Sequence, residues 1–130
     1  MHTHFHHFFS LEEANALIPK LREIIPQLQK LWHRMEHIEE HRKRKFRAQF
    51  TGGEQIPPEY FLSFIQFHKI MRELEDGGMI LRDLRHGVVD FPHLRKGSIV
   101  FLCWKLGEEQ IYYWHEKEKG FAGRRPVEEL

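Results

Sequence analysis

Cysteine is nearly missing from this chain. Cys103 stands alone among 130 residues, which excludes an internal disulfide and any zinc cluster built on several cysteines, and fits a reducing compartment better than an oxidising one. No apolar run approaches the roughly 18 residues needed to cross a bilayer, and the first residues lack the uninterrupted apolar stretch of a secretory signal. A soluble, cytoplasmic protein with no membrane role is therefore expected. A charge excess is lacking too: 20 Lys plus Arg against 19 Asp plus Glu leave +1 with neutral histidines. No global field marks the chain as a nucleic-acid binder, so any anion site must come from a local patch. Repeats, linkers and low-complexity segments are also absent, so residues 1–130 are expected to form one domain, large enough to bury a core without staples. Histidine is abundant, with 11 residues. If several are buried and neutral, stability should fall between pH 7 and pH 5, because the unfolded chain then takes up protons that the folded chain resists.

Residues 1–9, where His2, His4, His6 and His7 interleave with Phe5, Phe8 and Phe9, read as a flexible start able to hold metals loosely. Ser10-Leu11-Glu12-Glu13 then announces a helix, because a Ser and a Glu three residues apart can satisfy each other's free backbone N–H. Leu11, Ala14, Ile18, Leu21, Ile25, Leu28, Trp32 and Met35 follow at spacings of 3 and 4, with Leu17, Ile24, Leu31 and Ile38 as a second stripe. So broad an apolar face needs neighbours on two sides. The helix is expected over residues 10–51, stopping at Thr51-Gly52-Gly53, and would be about 60 Å long if straight. It must therefore project, bend at Pro19 or Pro26, or pack against a second copy of the chain.

Pro57-Pro58-Glu59 opens a second helix over residues 57–76, with Tyr60, Phe64, Phe67, Met71 and Leu74 as its buried stripe and Asp76-Gly77-Gly78 as its end. Strands are expected within residues 79–116: Met79 to Leu84, Val88 to Phe91 closed by Pro92, Ser98 to Lys105, and Gln110 to His115. The fold class is α+β, an antiparallel helical hairpin with a long first helix packed on a small C-terminal antiparallel sheet, followed by a Gly/Arg-rich tail at 117–130. Ile99 to Trp104 is apolar on both faces, so one face meets the helices and the other meets something else.

The run Phe9-Ser10-Leu11-Glu12-Glu13-Ala14-Asn15-Ala16-Leu17-Ile18-Pro19 resembles a known family. So do Gly87-Val88-Val89-Asp90-Phe91-Pro92, Leu102-Cys103-Trp104 with Gly107-Glu108, Trp114-His115, and Gly120-Phe121-Ala122-Gly123-Arg124-Arg125-Pro126. The family is the prokaryotic domain of unknown function 2203, and the likeness covers nearly the whole chain. It carries no assigned activity, ligand or catalytic residue, so the resemblance points to residues without giving them chemistry. The histidine-rich start and the His33, His37, His41 series depart from the family's pattern, so metal chemistry on them would be particular to this chain.

The tail has the composition of an anion site. Gly120 and Gly123 permit close backbone approach, Arg124 and Arg125 supply forked donors, and Trp104, Trp114, Tyr112 and Tyr113 offer stacking surface for a planar ligand. The same residues have a structural use: the arginines can pair with Asp90 or Glu108 to pin the tail, and the aromatics can fill the core. His115 at a strand end is the candidate acid, base or ligand, and Asp90 can orient it, hold a metal with it, or cap the turn at Pro92-His93. His33-Arg34-Met35-Glu36-His37, with His41 one turn on, spells a zinc-peptidase pattern on one helical face, a match that a histidine-rich chain also produces by chance. The basic run His41 to Arg47 suits a solvated helix end, and no nucleic-acid motif accompanies it. Cys103 reads as an inert buried thiol. Bottom-up, the best functional expectation is an anionic phosphate or carboxylate ligand at the Gly/Arg site, with no reaction named and no cofactor specified. The alternatives are a homo-oligomeric helical module, most simply a dimer through the first helix, and a metal-binding protein using histidines and acids.

Overall fold

A computed structural model describes Phe5, residues 7–48 and residues 56–130. The Thr51 to Gly53 stop and His2, His4 and His6 lie outside those residues. Helix α1 (Leu11–Ala16) begins with the expected capping box: Glu13 N–H donates to Ser10 Oγ at 3.0 Å, and Ser10 N–H donates to Glu13 Oε1 at 3.0 Å. The first helix is not continuous. Pro19 has no N–H to bond the carbonyl of Asn15 and crowds it. The chain therefore closes α1 at Leu17, whose N–H donates to the Ala14 carbonyl. It restarts as α2 (Ile18–Ala48), which accommodates Pro26. Its 31 residues span about 46 Å, shorter than the continuous rod expected.

Helix α3 (Pro58–Asp76) returns beside α2 and completes the hairpin. Its buried residues are Ser63, Phe67, Ile70 and Leu74, whereas Phe64 is exposed. The stripe is thus rotated from the one expected, because Ile70 is drawn inward and the phenyl ring of Phe64 lies against His68.

Five strands follow as an antiparallel meander in the order β1-β2-β3-β4-β5: β1 (Ile80–Asp83), β2 (Val88–Arg95), β3 (Ser98–Lys105), β4 (Tyr113–Glu116) and β5 (Arg125–Pro126). Pro92 does not close β2. Its carbonyl accepts from Phe9 N–H at 2.7 Å, on the side away from β3, so the N–H it lacks is not one that β3 needs. The fourth strand starts three residues later than expected because Ile111 N–H is committed to Asn15 Oδ1 at 2.7 Å, tying the β3–β4 loop to α1.

Side chains alternate along each strand, and the register sorts them into two faces. Val89, Phe91, Val100, Leu102, Trp104 and Trp114 join Ile18, Leu21, Ile25, Leu28 and Leu74 in the core between sheet and helices. Arg22 and Gln29 fasten α2 to the sheet's loops by donating to the carbonyls of Glu109 and Leu84. The other face carries Val88, Asp90, Phe101, Cys103 and His115, also buried. There Phe101 meets the Phe5 ring and the Arg82 guanidinium, so the double-sided apolar strand is covered on both faces.

Candidate functional site

The face turned away from the helices brings a carboxylate, an imidazole and a thiol together. Asp90 lies opposite Cys103 in the β2–β3 ladder, and His115 lies opposite Phe101, two residues from Cys103 on the same side. Asp90 and His115 are 1% and 2% exposed, and apart from Ser63 they are the only buried polar residues among those described. Asp90 Oδ2 accepts twice, from His115 Nε2 at 2.8 Å and from Arg82 Nε at 2.9 Å. Its Oδ1 is buried and has no hydrogen-bond partner.

His115 Nδ1 lies 2.8 Å from the Glu116 carbonyl oxygen, which can only accept, so that nitrogen carries a proton. Nε2 faces the Asp90 carboxylate, a partner that favours a proton there too. Burial pulls its pKa down, but the bonds to Asp90 and to the Glu116 carbonyl outweigh burial, and the group sits above its ordinary value. His115 is the one buried histidine among the described residues. Its shift is upward, opposite to that of a histidine buried neutral, so it does not supply the acid sensitivity expected of buried histidines. Burial pushes the Cys103 thiol well up, and the neighbouring Asp90 adds to the push, so the thiol is protonated and inert as a nucleophile.

Above this cluster opens a cleft of about 670 Å³. Asp90, His115 and Val88 line it together with Arg82, Lys105 and Lys117, with Asp83, His86 and Glu118, and with Gly120 and Phe121. Arg82 also stacks over Phe101, and Lys105 lies 5.6 Å from the centre of the Phe121 ring. Asp83 is turned toward His86, accepting from its backbone N–H at 3.0 Å and meeting its ring at 2.8 Å.

The residues singled out from sequence are divided between this site and the scaffold. Asp90, His115 and Gly120 belong to the cleft, and Asp90 binds His115 instead of capping the turn at Pro92. Arg124 is spent internally, its Nη1 donating to Glu108 at 3.1 and 3.2 Å while the guanidinium lies 4.1 Å from both the Tyr113 and Phe121 ring centres. Arg125 meets Glu116 and Glu129 outside the cleft. Gly123 sits against Lys119, where a Cβ would come within 2.5 Å of that side chain. Trp104 and Trp114 are core residues whose indole N–H groups donate to the carbonyls of Glu108 and Pro126, so neither lines the cleft. His33, Glu36, His37 and His41 lie on the outer surface of α2, with His33 and Glu36 at 3.7 Å and largely exposed. Among the described residues they do not form a three-ligand group, whereas Asp90, Cys103 and His115 do.

Arg82 and Lys105 were not legible as site residues, and Cys103 was legible only as a buried thiol. Alternation places Phe101, Cys103 and Lys105 on one face of β3, but joining them to Asp90 and Arg82 needs the strand register, which the sequence leaves open. The family model described as an uncharacterized conserved protein (DUF2203) matches residues 7–127, and the chain belongs to that family. No curated protein and no solved structure matches it.

Proposed function

We propose that this protein binds a small anionic ligand, a phosphate or a carboxylate, in the cleft above Asp90 and His115. The observation that carries the reading is a buried carboxylate–imidazole pair on the sheet face that the helices do not cover, opening into a cleft lined by Arg82, Lys105 and Lys117. Buried titratable pairs beneath a concave surface recur at binding sites. Arg82 spends Nε on Asp90 and keeps a side chain that is 45% exposed, which leaves its terminal nitrogens for a ligand. The anion expectation therefore moves from Arg124 and Arg125 to Arg82 and Lys105. Arg124, Arg125, Trp104 and Trp114 brace the segment that forms the wall. In this reading the pair at the floor orients the ligand, and no reaction is assigned to it.

Thermal melting with phosphate, sulfate and a small dicarboxylate tests the proposal. A ligand at about one hundred times its Kd adds about 2.7 kcal/mol to the native state, which raises Tm by several degrees. Lys105→Ala is expected to remove that rise without lowering the ligand-free Tm. If no anion shifts the wild type, the reading fails.

A second reading is favoured by the outer side of α3, where Phe61, Leu62, Phe64 and Ile65 are all exposed on a short stretch. Such a surface suits self-association of the hairpin. It requires nothing of the cleft, and the two readings are compatible.

A further inference from the structure

The anion reading uses the charges around the cleft and leaves its deepest group unexplained. Asp90, Cys103 and His115 come from three neighbouring strands, all are buried, and one carboxylate oxygen, the thiol sulfur and one imidazole nitrogen lie within 4.8 Å of one another. We infer that these three side chains form a binding site for a divalent transition-metal ion of the zinc class, reached through the cleft.

Three features point the same way. Asp90 Oδ1 is buried without a hydrogen-bond partner, although Oδ2 beside it accepts twice. Beyond that, the carboxylate has only the weak Cys103 thiol as a neighbouring donor, a costly arrangement in the interior that a cation at the bare oxygen would relieve. His115 donates Nδ1–H to the Glu116 carbonyl, the arrangement by which proteins fix the ring of a metal-bound imidazole, and this aims Nε2 into the group. The donor set of one thiolate, one imidazole and one carboxylate suits zinc and its close relatives, and three protein ligands are the number found where a fourth position stays open to solvent or ligand. Asp90 and His115 line the cleft floor, so the open position would face the cleft. With His115 Nε2 and Asp90 Oδ2 only 2.8 Å apart, a metal would replace their hydrogen bond, the ion taking the place of the proton between them.

Charge also balances. The dication forms bonds to Nε2, Sγ and a carboxylate oxygen, while the N–H bond at Nε2 and the S–H bond of Cys103 break and two protons leave for solvent. Starting from the doubly protonated ring, two protons are exchanged for two positive charges, so Arg82 sees the same net charge beside Asp90 before and after. The inference does not rest on the anion reading: the metal can bind with the cleft otherwise empty, and an anion can bind without the metal.

The single cysteine makes the test selective. Chelator-treated protein titrated with Co²⁺ is expected to develop a near-ultraviolet thiolate-to-cobalt charge-transfer band that saturates at one equivalent, and Zn²⁺ should bleach it. Only Cys103 can give that band. It should survive His33→Ala combined with His37→Ala, vanish in Cys103→Ser, and require at least tenfold more Co²⁺ in Asp90→Asn. If a buried-site variant fails to fold by circular dichroism, the wild-type band and its bleaching by Zn²⁺ still decide. Absence of the charge-transfer band in folded wild type, with any Co²⁺ signal lost on removing His33 and His37, would overturn the inference and leave surface histidines as the metal's only hosts. An anion-induced rise in Tm that persists in chelator-treated protein would then stand by itself, so the two readings fail separately.

Discussion

Arg124 and Arg125 are adjacent in sequence, and both stack on aromatic rings, but their contacts are unequal in closeness and shelter. Arg124 is half-buried, bonded to Glu108 through both carboxylate oxygens and sandwiched by two rings at 4.1 Å, whereas Arg125 is exposed, its carboxylate contacts are 3.4 and 3.6 Å, and it has one ring contact, with Trp114 at 5.0 Å. Removing a sheltered ion pair together with two cation–π contacts costs about 1–3 kcal/mol, while an exposed pair is worth about 0–1 kcal/mol. Arg124→Ala should therefore lower the ligand-free Tm by several degrees and Arg125→Ala barely at all, as read by calorimetry. Equal losses would show that the tail is held by something other than Arg124. His115 supplies a pH prediction of definite sign. Its folded pKa is raised, so the stability it contributes is present below its unfolded pKa near 6.5 and is lost as pH rises through the higher folded value. Asp90, Cys103 and Arg82 face it, and only the first favours its charge. In chelator-treated protein the Tm advantage of wild type over His115→Asn should be larger at pH 6 than at pH 9. An advantage that grows toward alkaline pH would mean that the ring is buried neutral.

The elements repeat this contrast between rules that are local and rules that are not. The capping box at Ser10, the proline start of α3 and the glycine end of α3 at Gly77 all stand where the sequence places them, because each depends on residues within one turn. The break at Leu17 follows from Pro19, also local, but choosing between a bend and a break depends on packing. The late start of β4 was not readable, since it comes from Asn15, 96 residues before the Ile111 N–H it accepts from. Gly87 and Gly97 sharpen the point, because both adopt left-handed backbone, with φ of 69° and 83°. A Cβ on Gly87 would come within 2.6 Å of Leu106 Cβ and 3.2 Å of Ile25, while nothing lies within 4 Å of one on Gly97. Gly97→Ala should cost about 1 kcal/mol of backbone strain, and Gly87→Ala distinctly more, about 2–4 kcal/mol, since Leu106 and the β1–β2 turn must shift as well. Urea unfolding of the two variants measures the difference, and equal costs would mean that the turn yields freely.

At the scale of the whole molecule, the sequence shows that the chain has more apolar surface than one hairpin and one sheet face can cover, and the structure shows where the surplus goes. The double stripe of the first helix suggests self-association through that helix. Instead Ile18, Leu21, Ile24, Ile25, Leu28 and Met35 are buried within the chain, consumed by α3 and by the sheet. The surplus lies on α3, where Phe61, Leu62 and Ile65 are 52%, 66% and 49% exposed, and on Trp32 at the helix–helix seam. Ser63 explains why the pattern misleads: a small polar residue occupies a buried position of α3, so the large residues at 61, 62, 64 and 65 turn outward. If the hairpin self-associates, α3 is then the contact, and the cleft on the opposite face of the sheet stays free. Light scattering on the wild type at micromolar concentration should give twice the mass of one chain, and Leu62→Glu with Ile65→Glu should restore the single-chain mass. Both positions are exposed, so these variants should fold with little change in Tm at low concentration. Glutamates placed on α2 at Lys20 and Lys30, both exposed and on the other helix, should leave the dimer intact. A wild type of single-chain mass would assign the α3 surface to a different partner or to none, whereas a dimer broken by the α2 variants would return the contact to the first helix.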